Sequence, residues 1–311
     1  MSLSLFKQCK QYNVPLLQCP SFLFVVMGLI NITSIFTVFF IAQRYTEEPE
    51  LVVGIVIGVS LVIFIISYVI VGTFTQLAET NRMKTEFLNI VSHQILTPLT
   101  SEKWLVNLLL GQKLGALNNE QKEYLELLKS SNTKSVQLVN ALLNVSRIES
   151  NKMVFEKKPI DLKQLAQEVV SDEKPAIEAS KIFLQILDQT NGKNQVIGDA
   201  MKIKLVAQNF ISNAIKYTKE NGQIMVILKG DDGFLKFSVI DNGVGIPSEE
   251  KPFIFQKFFR SSNVMRFQTL GSGLGLYVSK YIIDMLGGKI GFESEENKGS
   301  DFWFTLPIAK L

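Results

Sequence analysis

Two stretches of this 311-residue chain contain no charged residue: "SFLFVVMGLINITSIFTVFFIA" at 21–42 and "LVVGIVIGVSLVIFIISYVIVGTF" at 51–74. Each exceeds the roughly 20 helical residues needed to cross a hydrocarbon core. Neither run has a polar face, so the pattern is not that of a surface helix burying one side. Two membrane-spanning helices are the expected solution, and they set the frame for the rest of the chain.

Only "QRYTEEPE", residues 43–50, separates the spans. It sets Arg44 against Glu47, Glu48 and Glu50, while Lys7 and Lys10 precede the first span and Arg82 and Lys84 follow the second. This basic bias predicts a cytoplasmic tail (1–20), an external loop (43–50) and both termini in the cytoplasm. The first run is too long for a cleaved signal peptide and lacks a small-residue cleavage site. So short a loop cannot fold into a ligand-binding domain, which leaves a stimulus acting in or near the bilayer lipid. The net charge of +3 is unclustered and argues against a nucleic-acid surface. Cys9 and Cys19 have no metal spacing and read as reduced thiols.

From residue 75 to 154 the pattern becomes amphipathic and helical. Leu88, Val91, Ile95, Leu99, Leu105 and Leu109 draw one apolar stripe. "GQKLGALNNE" interrupts it, with Asn118 or Asn119 available to cap a second helix carrying Leu125, Leu128, Leu138, Leu142 and Val145. A lone helical hairpin cannot cover both stripes, so pairing with a second copy into a four-helix bundle is expected. Residues 155–311 turn α/β. Asp161 caps a helix, and "KIFLQIL", "GQIMVILKG", "FLKFSVID", "GKIGFES" and "SDFWFTLP" read as strands. Helices at "DAMKIKLVAQNFISNAIKYT" and "GLYVSKYIIDML" complete an α/β sandwich with helices on one face of a mixed sheet.

Four clusters in the α/β part carry residues that packing does not require. Asn209, Asn213 and Lys216 or Tyr217 share a helical face; amide oxygens suit Mg²⁺, and a lysine suits phosphate. In "DNGVGIP", Asp241 follows a strand, while Gly243 and Gly245 permit close backbone approach; the same letters also suit a hairpin turn. "IFQKFFR" places Arg260 beside Phe255, Phe258 and Phe259, aromatics that are ordinarily core. "GSGLGL" runs Gly271, Gly273 and Gly275 into a helix, where backbone N–H groups face phosphate oxygens. Upstream, "SHQILTPLT" holds the only histidine, His93.

In this order and spacing the motifs resemble the sensor histidine kinases of bacterial two-component systems: an H box (92–100), N box (209–218), G1 box (241–246), F box (255–260) and G2 box (271–276). The resemblance implies an all-α dimerisation and phosphoacceptor hairpin followed by an ATP-binding domain of the Bergerat fold. It implies a multi-pass protein of the cell inner membrane, a homodimer, and an ATP-dependent protein-histidine kinase. His93 would accept the γ-phosphoryl group and pass it to an aspartate on the receiver domain of a response regulator. It further implies that Asn213, with Asn209, binds Mg²⁺, that Lys216 meets phosphate, and that Tyr217 and Asp241 hold adenine. Gly243, Gly245, Ile246, Gly271, Gly273, Leu274 and Gly275 would line the nucleotide site. Residues 247–270 would form a lid, with Arg260 aimed at the γ-phosphate.

Two positions depart from the family pattern. Gln94 stands where an acidic residue usually follows the histidine, and Leu96 replaces a usual arginine. An amide orients an imidazole but cannot take its proton. Thr97 is retained one helical turn from His93, where the family uses it to place water for dephosphorylating the regulator. An alternative is therefore an ATP-binding scaffold or phosphatase-biased sensor with weak autokinase activity. A gyrase-like or chaperone-like ATPase does not account for the H box. Pro98 lacks the N–H that would bond the Gln94 carbonyl, which predicts a kink.

Overall fold

The computed structural model describes residues 19–45, 48–111, 115–231, 233–262 and 271–309. The expected tail up to residue 18, residues 46–47 of the loop and residues 263–270 of the lid segment lie outside them. The chain divides into two compact units: residues up to Ile95 with Glu149–Lys152, and Leu96–Ile148 with Met153–Leu311.

The first unit contains α1 (Pro20–Tyr45) and the greater part of α2 (Pro49–Leu110). Both helices are long and apolar enough to cross a membrane. Their large side chains remain outside any protein core, with Phe24 68% and Phe64 61% exposed, as a lipid-facing surface requires. Four threonine hydroxyls in and just beyond the apolar runs bond within their own helices. Thr33, Thr37, Thr73 and Thr75 each donate to the carbonyl four residues earlier at 2.8 Å. No break separates the second apolar run from the amphipathic segment. Residues 73–97 contain neither glycine nor proline, so nothing in the sequence stops the helix. The helix also continues through Pro98, and the two units divide within it, between Ile95 and Leu96. Lys84 pairs with Glu149 at 3.2 Å. Cys19 is disulfide-bonded, not the reduced thiol expected; Cys9 lies outside the described residues.

In the second unit α3 (Asn119–Glu149) begins at a reciprocal cap. Asn118 Oδ1 accepts from the Gln121 N–H at 2.7 Å, and Gln121 Oε1 accepts from the Asn118 N–H at 3.0 Å. Buried Asn132 ties α3 to α2: its Nδ2 donates to the Leu99 carbonyl at 2.8 Å and to Glu102 Oε2 at 3.1 Å. Leu128 and Leu138 on α3, and Ile95 and Leu105 on α2, stay exposed.

The rest of this unit is a two-layer sandwich. Strands β2 (Phe183–Gln189), β4 (Gln223–Asp231), β5 (Phe234–Asp241), β6 (Lys289–Glu295) and β7 (Gly299–Pro307) form a sheet in the order β2-β4-β5-β7-β6. Only β2 and β4 are parallel. Helices α4 (Leu162–Asp172), α6 (Ala200–Tyr217) and α7 (Gly275–Met285) cover one face, and α5 (Lys174–Ala179) is a short connector. Alternation decides which side chains turn inward: Ile224, Val226 and Leu228 on β4; Leu235, Phe237 and Val239 on β5; Phe304 and Leu306 on β7. Phe237 stacks on Phe304 with centroids 4.9 Å apart. Each fully buried Leu, Ile or Phe contributes about 1.5–3 kcal/mol.

Asp161 caps α4, accepting from the N–H groups of Lys163 and Gln164. Asp199 caps α6 and also accepts from the Glu156 N–H at 3.0 Å. A two-stranded sheet of β1 (Lys158–Asp161) and β3 (Gln195–Gly198) was not expected. Its four-residue strands mix charged, proline and glycine residues, so they lack the apolar run that announces a strand.

Candidate active site

The N-box face, the turn after β5, the F-box segment and the glycine-rich turn before α7 converge on one cavity of about 190 Å³. It is lined by Asn209, Asn213, Lys216, Tyr217, Asp241, Gly245, Ile246, Arg260, Gly271, Gly273 and Gly275, all expected from the sequence. These residues are up to 66 positions apart in sequence and lie on different elements. The sandwich fold is what gathers them.

Helix α6 presents its polar residues one turn apart, along the edge of a face whose other side is Val206, Phe210, Ile211 and Ala214 in the core. Asn209 Nδ2 donates to Ser279 Oγ at 3.1 Å, and Asn213 Nδ2 points to Asn209 Oδ1 at 3.4 Å. Asn213 also lines the cavity. Gly275 opens α7 against the Asn209 amide; a Cβ there would lie 2.8 Å from Asn209 Cγ. Helix α7 begins without a side-chain cap, so its first N–H groups remain available to an anion.

Asp241 ends β5 and is only 8% exposed. Burial pushes its carboxyl up to about 6, against the backbone N–H bonds of Gly243, at 2.9 Å, and Ser300. Burial likewise lowers Lys216, opposed by the negative charge of Glu173. It raises Tyr217, opposed by the Arg260 guanidinium. The cavity thus holds one buried carboxylate, two cations and an uncapped helix start, a combination suited to a ligand with an amine at one end and phosphates at the other.

Two expected residues do not line the cavity. Gly243 is packed on the backbone of Tyr217, and any Cβ would strike that carbonyl, so the glycine joins the turn to α6. Leu274 is 1% exposed and belongs to the core beneath α7. Gly245 and Gly273 take φ of 62° and 65°, in close contact with the Glu295 carbonyl and the Phe258–Phe259 backbone respectively. Lining residues not anticipated include Ser272, Ser300 and Phe302. Ser272 lies within the glycine motif, where its neighbouring glycines carry the signal. Ser300 and Phe302 follow from strand alternation once β7 is set beside β5.

His93 and Gln94 lie on α2 in the first unit, exposed. Thr97, also exposed, follows one turn after the histidine on the same helix face. Among the described residues no group of three or more His, Cys, Asp or Glu is placed to hold a metal. The amide oxygens present fit a Mg²⁺ ion held chiefly by phosphate and water, since Mg²⁺ keeps several waters and takes few protein ligands.

Comparison with known proteins agrees with this arrangement. Residues 198–310 match the family described as histidine kinase-, DNA gyrase B-, and HSP90-like ATPase, and residues 83–151 match the His Kinase A (phospho-acceptor) domain. The sensor histidine kinase GacS of Pseudomonas protegens is 34% identical over 236 residues, covering 75% of this chain and 25% of GacS. The circadian input-output histidine kinase CikA of Synechococcus elongatus is 32% identical over 232 residues, 74% of this chain and 31% of CikA. The chain therefore spans a quarter to a third of the length of these curated relatives. Full-length ShkA in complex with AMPPNP superposes with a TM-score of 0.59 at 27% identity, covering 73% of this chain and 46% of ShkA. The histidine kinase ThkA in complex with the response regulator protein TrrA gives 0.50 at 25% identity, covering 74% of this chain and 65% of ThkA.

Proposed function

Because the chain belongs to the sensor histidine kinases of bacterial two-component systems, we propose that it transfers the γ-phosphoryl group of ATP to His93. The convergence of Asn213, Asp241, Arg260 and the Gly271–Gly275 turn on one cavity supports this reading above all else. In it, Asp241 accepts from the adenine amine, and Tyr217 lies along the base. Lys216, the backbone of the glycine turn and the start of α7 receive the phosphates. Arg260 meets the γ-phosphate, where charge develops as the bond to the leaving oxygen of ADP breaks. Asn213, with Asn209 behind it, holds Mg²⁺, which when bound offsets phosphate charge. A nitrogen of His93 supplies the electron pair for the new P–N bond, and its other nitrogen loses a proton to water, to which the exposed ring is open. The phosphoryl group then moves to an aspartate of a response regulator receiver domain.

The division proposed is a tail (1–20), span (21–42), loop (43–50), span (51–74), phosphoacceptor domain (75–154) and ATP-binding domain (155–311), with both termini cytoplasmic. Exposed apolar residues on the hairpin, Leu105, Leu128 and Leu138 among them, favour a second copy completing a four-helix bundle. Gln94 supports a second reading, a phosphatase-biased sensor in which Thr97 orients water. Incubating the full chain in lipid nanodiscs with γ-labelled ATP tests the first. Acid-labile label should appear on the protein and vanish in His93→Gln, with ATP binding intact. Label persisting in that variant would remove His93 from the reaction.

A further inference from the structure

From Pro247 to Phe259 the backbone runs as four linked turns. The N–H groups of Glu250, Phe253, Gln256 and Phe259 reach back to the carbonyls three residues earlier, at 3.1, 3.0, 2.8 and 3.4 Å. The Glu250 side chain then spans to the far end of this segment. Its Oε1 accepts from Ser262 Oγ at 2.5 Å, both of its oxygens lie 3.2 Å from the Ser262 N–H, and Oε2 accepts from Ser261 Oγ. The segment becomes a closed ring, and Arg260 is the residue immediately before the clasp.

Other contacts leave this ring little freedom. The rings of Phe253 and Phe259 lie 5.9 Å apart, and Phe255 packs edge-on to Phe292 at 6.0 Å. Phe258 sits at φ 63°, a left-handed conformation uncommon for a residue with a Cβ, and Gly273 is pressed against its backbone. Burial works to raise the Glu250 carboxyl, but the hydroxyls of Ser261 and Ser262 outweigh it and leave it below the ordinary range. Only an ionised carboxylate accepts from all of these donors together.

We propose that Glu250 is the positioning residue for Arg260, its carboxylate clasping Ser261 and Ser262 so that the preceding guanidinium faces the nucleotide cavity. This rests on the assignment of Arg260 to the γ-phosphate made above. A carboxamide at 250 keeps one acceptor oxygen and turns a donor toward serine donors, so Glu250→Gln opens the clasp without changing side-chain length.

The test is single-turnover phosphotransfer by the full chain in nanodiscs at saturating Mg-ATP, with nucleotide affinity measured in parallel. Glu250→Gln should slow the transfer between about 10- and 100-fold, the scale of a misplacement near 1 Å, with ATP affinity nearly unchanged. The Ser261→Ala/Ser262→Ala pair should slow it in the same way. In an Arg260→Ala background, Glu250→Gln should cost nothing further, because the residue it positions is gone. Further slowing in that background, or an unslowed Glu250→Gln, would overturn the clasp while leaving the kinase reading intact. If Arg260→Ala itself leaves the transfer rate unchanged, the functional assignment of Arg260 fails first.

Discussion

At the scale of single residues the site is a set of groups held away from their ordinary charge preferences. Asp241 shows the consequence most directly. Its carboxyl titrates near 6 in the folded protein and near the ordinary 3.8 in the unfolded chain. Between those values only the folded protein holds the proton, so the Asp241 contribution to the stability of the free domain is greatest below about pH 4 and is lost as pH rises through 6. Two pH units correspond to about 3 kcal/mol at most. ATP affinity should run the other way, rising over the same window as the better acceptor forms. Thermal unfolding and calorimetry from pH 5 to 7.5 should show both trends, and Asp241→Asn should flatten both; a variant that keeps them would place the titration elsewhere. Gln94 gives a second prediction. Supplying the missing base with Gln94→Glu should raise the single-turnover rate about 10²-fold at unchanged ATP affinity. No gain would favour the phosphatase-biased reading. Asp241, Asn213 and Arg260 were legible from the order and spacing of their motifs, since each cluster alone also suits a turn, a solvated helix face or an aromatic core. Ser300 was not, because a serine in a strand announces nothing until its neighbour across the sheet is known.

At the scale of elements, what the sequence revealed depended on how much each element carries in its own pattern. Strand β5 falls at 234–241 as expected, because turn signals bracket an uninterrupted apolar alternation. The α3 cap resolved to Asn118, through a reciprocal bond to Gln121 that the two candidate asparagines alone could not decide between. The β1–β3 pair was invisible since its strands are stabilised by their register with each other, not by their own residues. Nor did periodicity mark Asn132, a buried polar residue in an apolar stripe. Its two bonds tie α3 to the turn that follows Pro98, and its Oδ1 is buried with no hydrogen bond. Asn132→Ala should lower stability in denaturant by about 1–2 kcal/mol, because the Glu102 and Leu99 acceptors lose their donor. Asn132→Leu should cost less, as it also removes the unmatched carbonyl. An alanine variant of full stability would mean that apolar packing alone sets the hairpin register.

At the scale of the molecule, the two apolar helices and the acidic loop make a topological prediction. Reporters fused at Glu48 should read as external and those after Lys84 as internal; an internal Glu48 would reverse the sensor arrangement. The unbroken helix α2 carries a mechanical implication as well. From Phe74 to His93 it advances about 28 Å at 1.5 Å per residue, and each residue turns the following ones by about 100°. On the proposed topology the helix between bilayer and imidazole would act as a drive shaft with a fixed angular phase. Inserting two residues after Gln76 swings His93 through about 200°, whereas seven return it to within about 20° of its starting azimuth. Phosphotransfer across an insertion series of one to seven residues should oscillate with the helical period and recover at seven. A flat response would show that no torque passes along the shaft, and that whatever reaches the histidine from the membrane travels by another route.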